Sequence, residues 1–211
     1  NRIEHQRGTH RLGCPPFLIR RIRTGTPQEF AALQNPGRSR KKSQKRSAWM
    51  FISMLVKIYT DGAARGNPDG PGGYGVILTC EDAKGQLHVR EYSQGYKRTT
   101  NNRMELMAVI VGLEALNRPC QVEVYSDSKY VTDAFNKHWV EGWLKKNWRG
   151  SSGPVKNVDL WKRLLKAKEP HQVKFIWVKG HDGHEQNERC DFLATSAADG
   201  TELIEDEGLE A

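Results

Sequence analysis

The pattern of apolar and polar residues changes abruptly at Met54. Residues 55–60 are apolar or β-branched with polar positions between them, as in a strand, and Asp61-Gly62 is a turn signal that ends it. A glycine-rich loop leads to a second strand over 74–80, and a reversal at 82–85 leads to a third over 87–94. Three strands with short connections predict an antiparallel meander.

Helical spacing then replaces strand alternation. Apolar residues from Met104 to Leu116 recur at helical intervals and predict an amphipathic helix over about 102–117, which Pro119 ends. A fourth strand is predicted over 121–125, and Ser128 is expected to cap a helix that runs to about residue 135. Further on, the pattern predicts a helix over 158–168, a fifth strand over 173–178 and a last helix over 188–198. This order predicts a mixed α+β fold of the α/β type, with a five-stranded mixed sheet covered by helices.

Residues 1–53 show no sustained apolar period and are rich in Pro and Arg. We interpret this segment as a disordered, dispensable extension. Two alternatives stay open: a transit-like sequence, since it is basic and poor in acids, or a segment foreign to the natural protein, since Met50 and Met54 would each be a natural start. The expected organisation is therefore a basic extension over 1–53, one folded domain over 54–198 and an acidic tail over 199–211.

The formal charge of +8 suggests a nucleic-acid binder, but it is unevenly distributed. Residues 1–49 hold twelve Lys and Arg against two Glu, and six acids lie in the last thirteen residues, so the body is only mildly basic. The four cysteines form no C-x-x-C pair and indicate neither a zinc site nor a disulfide framework. They suit a reducing cytoplasm. No apolar run approaches the ~18 residues of a membrane span, and nothing in the sequence suggests more than a monomer.

Four acidic residues occupy comparable places in the predicted elements. Asp61 and Asp127 each end a strand, Glu105 is expected in the first turn of the long helix and Asp191 in the first turn of the last helix. Each alone reads best as a turn or cap residue, and Asn102-x-x-Glu105 has capping-box spacing. Together, four carboxylates would repel one another unless cations neutralised them. Oxygen ligands select Mg²⁺ or Mn²⁺, and two such ions about 4 Å apart suit phosphodiester hydrolysis. Spacing alone does not show that the four converge.

Five sequence blocks, in order and at matching spacing, resemble the bacterial type 1 family of ribonuclease H. The likeness runs from about residue 55 to 198, roughly two-thirds of the chain. The blocks are Tyr59-Thr60-Asp61-Gly62; Gly66-Asn67-Pro68-x-Gly70-Pro71-Gly72-Gly73-Tyr74-Gly75; Thr99-Thr100-Asn101-Asn102-Arg103-Met104-Glu105-Leu106; Tyr125-Ser126-Asp127-Ser128; and Trp177-Val178-Lys179-Gly180-His181 with Asn187-Glu188-Arg189-Cys190-Asp191.

The resemblance implies an endonuclease that cuts the RNA strand of an RNA–DNA hybrid without sequence preference and leaves 5′-phosphate ends. By this likeness two Mg²⁺ ions, for which Mn²⁺ can substitute, are held by Asp61, Glu105, Asp127 and Asp191. His181 matches the family histidine that shuttles a proton near the leaving group, a role that suits a loop histidine. The loop's histidines lack the spacing and cysteine partners of a zinc site.

The resemblance also implies how the hybrid is held. Residues 137–150 interleave three tryptophans with four Lys or Arg and are similar to the family's basic handle, which grips the DNA strand. A helix that buries a tryptophan stripe is the plainer interpretation. Compared with the commonest bacterial pattern, Glu141 and Leu144 make this handle less basic. Within it, the expected substrate contacts are Trp139, Trp143, Lys145 and Lys146.

Short polar side chains would distinguish the two strands of the hybrid. By resemblance, Asn67, Thr100 and Asn101 seat a DNA phosphate, and Asn102 reaches a base edge in the minor groove. Lys129 departs from the family pattern, in which Gln is usual; a lysine there gains a phosphate contact but loses the paired donor and acceptor of an amide. Two alternatives remain: a non-catalytic hybrid-binding module, and an integrase-like or resolvase-like nuclease that acts on DNA.

Overall fold

The computed structural model describes residues 54–66, 70–82, 84–180 and 182–209. The expectation for residues 1–53 lies outside this part of the chain. The described residues form one main sheet, a two-stranded hairpin and five helices. The strands are β1 (Leu55–Ala64), β2 (Gly72–Glu81), β3 (Leu87–Tyr96), β4 (Gln121–Ser126), β5 (Arg149–Gly150), β6 (Gly153–Pro154), β7 (Gln172–Trp177) and β8 (Leu203–Ile204). The helices are α1 (Asn101–Glu114), α2 (Lys129–Asn136), α3 (Trp139–Lys145), α4 (Val158–Lys168) and α5 (Glu185–Ala198).

The main sheet has the strand order β7-β4-β1-β2-β3-β8. Strands β1, β2 and β3 form the predicted antiparallel meander, whereas β4 and β7 run parallel to β1. The sheet is therefore mixed, as expected. Because β1, β4 and β7 are parallel, their carboxyl ends lie at the same edge of the sheet, where ligand-binding residues collect in such folds.

The sheet has six strands and not the predicted five. The sixth, β8, is two residues long and pairs parallel to the end of β3, with Leu203 opposite Gly95 and Ile204 opposite Tyr96. Only two apolar residues, Leu203 and Ile204, lie between acidic neighbours, which is too short a run to show strand alternation. Residues 199–209 thus pack against the domain, although the domain boundary placed after residue 198 stays a prediction.

Helix α1 is buried on all sides, not amphipathic as its pattern predicted. Every residue from Arg103 to Leu113 is buried, because the sheet lies on one side of the helix and α4 on another. Gly112 lets α1 approach the side chains of Ile58 and Val76. The opposite face of the sheet carries α5, so the sheet lies between layers of helix.

Several element boundaries differ from the prediction. Helix α1 begins at Asn101 with Thr100 as N-cap, whose hydroxyl accepts a hydrogen bond from the Arg103 N–H at 3.4 Å, so the capping box at Asn102 does not form. Helix α5 begins at Glu185, which places Asp191 in its second turn and not in its first. The helix predicted over 158–168 is confirmed. No helix within the described ranges is long and apolar enough to cross a membrane.

Candidate active site

Three of the four acidic side chains converge at the carboxyl edge of the sheet. Asp61 lies within β1, which does not end at the predicted Asp61-Gly62 turn but continues to Ala64, because residues 62–64 still pair with β2. Asp127 directly follows β4, and Glu105 lies in α1. One carboxylate oxygen from each lies within 4.8 Å of the others. The first two meet because β1 and β4 are parallel neighbours, with Thr60 opposite Ser126 in the register.

Glu105 joins them because Gly62 lets α1 approach β1 closely. A Cβ atom on Gly62 would lie 2.4 Å from the backbone nitrogen of Glu105 and 2.6 Å from the carbonyl carbon of Met104. Both atoms belong to the backbone of a buried helix and cannot move away cheaply. The glycine after Asp61 therefore sets the distance between the two carboxylates.

Asp191 comes from the other face of the sheet. It lies on α5 and lines the same cleft, but its carboxylate is not within the 4.8 Å group of three. Helix α5 reaches this position because β2 carries a glycine beneath it: a Cβ on Gly75 would lie 2.1 Å from the Cys190 carbonyl oxygen. The cleft therefore receives acidic groups from both helix layers.

Burial and mutual repulsion dominate the electrostatics of the cleft. Burial, followed by the charge of Asp127, raises the pKa of Asp61 to about 7; the charge of Asp191 adds to this, and the Gly62 N–H opposes it by donating to Asp61 Oδ1 at 2.7 Å. Burial and the charges of Asp61 and Asp127 raise the pKa of Glu105 well above its ordinary value. Without a cation, the cleft favours the protonated forms of Asp61 and Glu105.

Glu105 leaves one carboxylate oxygen without a partner. Its Oε1 accepts from Asn101 Nδ2 at 3.4 Å, whereas the buried Oε2 has no hydrogen-bond partner among the residues that the structure describes. A buried, unsatisfied carboxylate oxygen is costly, and a bound cation would satisfy it. The donor set is made of oxygen alone, with no cysteine, and it fits a hard divalent ion such as Mg²⁺ or Mn²⁺.

The other residues expected to bind substrate are distributed around this cleft. Asn101, Asn102 and Lys129 line it. Thr100 caps α1 just behind them. Asn67 and His181 lie outside the described residues, and so do the roles expected of them.

In the handle, the structure separates two of the predicted tryptophans. Trp143 is half-buried and meets the buried Trp161 of α4 edge to face, with ring centroids 5.2 Å apart. Trp139 is 41% exposed, with Lys137 Nζ 5.4 Å from its ring centroid. Lys145 and Lys146 are exposed. A partly buried tryptophan and an exposed basic ridge therefore occur together in the handle.

Arg65 in the cleft and Trp177 beside it have no role that the sequence predicts. Arg65 lines the cleft and donates two hydrogen bonds to Asp199, at 2.9 and 2.8 Å. Trp177 donates its indole N–H to the Asp127 carbonyl oxygen at 3.1 Å. The partners lie 134 and 50 residues apart in sequence, and no local pattern signals such pairs.

Comparison with known proteins identifies the relatives of this architecture. A family model described as RNase H matches residues 54–199. A ribonuclease H of Lachnoclostridium phytofermentans is 70% identical over 158 residues, which cover 74% of this chain and 100% of the relative; one of Aeromonas salmonicida is 53% identical over 156 residues, with 74% and 97% covered. Among solved structures, LC9-RNase H1, described as a type 1 RNase H with the type 2 active-site motif, aligns with a TM-score of 0.65 at 34% identity, covering 74% of this chain and 76% of that one.

These matches define an endoribonuclease, an enzyme that cuts within RNA strands. The chain belongs to the ribonuclease H family, in its type 1 branch. The matches confirm the family resemblance inferred from the sequence blocks, and they confirm the mixed α/β fold. The family acts on RNA–DNA hybrids and uses divalent metal ions.

Proposed function

We propose that this enzyme hydrolyses phosphodiester bonds within the RNA strand of RNA–DNA hybrids by two-metal-ion catalysis, without sequence preference, and leaves 5′-phosphate and 3′-hydroxyl ends. The observation that carries the proposal is the convergence of Asp61, Glu105 and Asp127 within 4.8 Å in a cleft that Asp191 also lines. So many acids in one partly buried place need cations to stay ionised.

The four carboxylates would hold the ions, Mg²⁺ by preference with Mn²⁺ as a substitute. When bound, such ions supply an activated water and a counter-charge for the leaving oxygen. The chain's own groups do the rest. Asn101 orients Glu105 through its amide, and burial restricts the access of water to the carboxylates of Asp61 and Glu105. We propose that His181 gives the proton to the leaving group.

The proposed grip on the DNA strand uses groups that remain available. The Thr100 hydroxyl accepts from Arg103 in the cap, and its own hydrogen can still be donated to a phosphate oxygen. Asn67 and Asn101 would complete this phosphate seat, and the exposed Asn102 would read a base edge. Short polar side chains of this kind suit the recognition of one strand by its 2′-hydroxyl groups and of the other by their absence.

The handle would follow the DNA backbone beyond the cleft. Lys145, Lys146 and Trp139 are exposed and free to meet phosphate and sugar. Trp143 would contact the DNA only through its exposed portion, and its packing on Trp161 anchors the handle to the domain. We also propose that the enzyme acts as a cytoplasmic monomer; sedimentation velocity would test the monomeric state.

The deciding experiment compares wild type and Asp61→Asn on a hybrid labelled on the RNA strand, with Mg²⁺. We expect cleavage by wild type, a loss of at least about a hundredfold in Asp61→Asn, and 5′-phosphate ends on the products. Asp133→Asn, which removes a carboxylate outside the cleft, is the matched control and should cleave normally.

Two other outcomes would point to the alternatives. Tight hybrid binding with equal, negligible cleavage by wild type and Asp61→Asn would indicate a non-catalytic binding module. Cleavage of a duplex-DNA control as efficient as that of the hybrid would indicate an integrase-like or resolvase-like nuclease.

A further inference from the structure

The rim of the cleft carries two cations, and they differ in their partners. Arg65 is held by the two oxygens of Asp199. Lys129 also lines the cleft, is exposed, and makes no ion pair with any residue that the structure describes, although four carboxylates line the same cleft. Its ammonium instead lies 5.0 Å from the ring centroid of Trp177.

Trp177 is itself fixed in place. It is the last residue of β7, 44% exposed, and its indole N–H donates to the carbonyl oxygen of Asp127 at 3.1 Å. Lys129 follows Asp127 by two residues and opens α2. The indole thus connects the backbone of one acidic residue with the cation at the mouth of the cleft.

This arrangement has the chemistry of an anion contact. A lysine ammonium has three donors, and a position over an aromatic face leaves them available to an oxygen ligand. A long lysine side chain normally samples many rotamers, and the indole restricts that freedom. The strand that is cut must bring its phosphates past the acidic residues, where a fixed positive charge offsets their repulsion.

We propose that Lys129 binds a phosphate oxygen of the RNA strand next to the bond that is cut, and that Trp177 is a positioning residue that holds the Lys129 ammonium toward that phosphate. The inference rests on the proposed function for the identity of the strand. It assigns Trp177 a part in substrate binding that the sequence blocks do not reveal.

The contact with phosphate is tested by the salt dependence of hybrid binding. We compare hybrid binding by wild type, Lys129→Gln and Lys129→Arg. A chelator is present so that no cleavage occurs, and the salt concentration is varied between 50 and 200 mM, about the range over which such slopes are measured. Loss of one phosphate contact makes the negative slope of log K against log salt shallower by about 0.9. We expect this change in Lys129→Gln and the wild-type slope in Lys129→Arg.

Lys84→Gln is the matched control. Lys84 is an exposed lysine in the turn between β2 and β3, at the opposite end of the sheet from the cleft, and its loss should leave the slope unchanged. A Lys129→Gln slope equal to that of wild type would overturn the proposed contact. Because binding is read without cleavage, this result is independent of the Asp61→Asn experiment.

The strand is identified by a second titration. The same proteins are titrated with hybrids in which single phosphates near the cleavage position, in the RNA strand or, in separate hybrids, in the DNA strand, are replaced by uncharged methylphosphonates. One replacement in the RNA strand should remove the difference in affinity between wild type and Lys129→Gln. If only replacements in the DNA strand do so, the assignment to the RNA strand is wrong.

The role of Trp177 is tested by steady-state kinetics with Mg²⁺. Trp177→Phe keeps an aromatic face and loses the N–H, whereas Trp177→Ala loses both. We expect Trp177→Ala to raise KM about two- to fivefold with kcat little changed, and Trp177→Phe to stay close to wild type in KM. In the Lys129→Gln background, Trp177→Ala should have no further effect on KM.

Additive effects of the two substitutions would overturn the positioning role. A fall in kcat in Trp177→Phe would do so as well, because it would mean that the indole acts through Asp127. Thermal unfolding of each variant is measured alongside, and assays are run well below the lowest Tm, so that a purely structural loss is separated from a change in KM.

Discussion

Asp61 and Glu105 are buried acids whose ionisation the metal-free fold opposes. The pKa of Asp61 is raised to about 7 and that of Glu105 well above its ordinary value, mainly by burial. In the unfolded chain both side chains titrate near pH 4. Between about pH 4 and 7 the folded protein therefore binds protons that the unfolded chain has released. The contribution of these groups to stability is present at low pH and is lost as pH rises through that window.

The first prediction concerns the metal-free protein. With a chelator present, the free energy of unfolding should fall from pH 5 to pH 8. The Asp61→Asn variant should show a weaker pH dependence. At pH 8 its free energy of unfolding should exceed that of wild type by on the order of 2–4 kcal/mol, a figure that solvent screening and relaxation reduce. Urea unfolding at several pH values measures both. An Asp61→Asn protein with the same pH dependence as wild type would contradict the assigned burial effect.

The second prediction concerns Mg²⁺ added to the same protein. Carboxylates bind the ion in their deprotonated form, so the ion competes with protons. We expect Mg²⁺ to raise Tm more at pH 8 than at pH 5.5, and Asp61→Asn to lose most of the effect. Asp133→Asn should retain it, since its carboxylate lies outside the cleft. An equal rise in all three proteins would mean that Mg²⁺ acts elsewhere.

At the scale of elements, the amino end of α1 is fixed by the segment that follows α5. Arg103 is 2% exposed and pairs through Nε and Nη2 with both oxygens of Asp206, which is 3% exposed, at 2.7 and 2.8 Å. It also pairs with Asp159 of α4, and Thr99 donates to Asp206 at 2.7 Å. One guanidinium thus joins two helices and the C-terminal segment directly behind the residues expected to contact DNA.

The third prediction follows from this buried pair. Asp206→Ala leaves the guanidinium with the half-exposed carboxylate of Asp159 and the amide oxygen of Asn157. It should lower the free energy of unfolding by about 3–5 kcal/mol. Asp199→Ala breaks an exposed pair with Arg65 and should cost no more than about 1 kcal/mol. Urea unfolding with Mg²⁺ present compares the two. Similar losses in both variants would show that burial of the Arg103 pair adds nothing.

At the scale of the whole molecule, the sequence predicts most secondary-structure elements but not the contacts between residues that are far apart in the chain. The helix over 158–168 and the β1–β3 meander follow from periodicity. Asp127 follows a strand end as predicted, whereas Asp61 lies inside β1, because residues 62–64 continue to pair with β2. The turn that contains Asp191 was misplaced because residues 185–187 carry no apolar signal. The convergence of the acids required a family resemblance, since no pattern states which strands are neighbours. Strand β8 and the Arg103–Asp206 pair join residues about a hundred positions apart.

The short pairing of β8 leaves most of one sheet edge open. Among the described strands, β8 covers only Gly95 and Tyr96, and the outer edge of β3 over residues 87–94 has no neighbouring strand. Leu87 and Val89 on this edge are 63% and 50% exposed. An open, apolar edge is a template on which a second chain can add a strand, and charged side chains are a common defence against it.

The fourth prediction is that Arg90, an exposed charged residue on this edge, limits aggregation. Arg90→Val should increase light scattering as protein concentration rises, while Lys84→Val, in the turn before β3, should have a much smaller effect. Equal scattering in the two variants would count against a role for edge charge. Because β8 is only two residues long, the solubility of the protein depends on the side chains along the uncovered edge of β3.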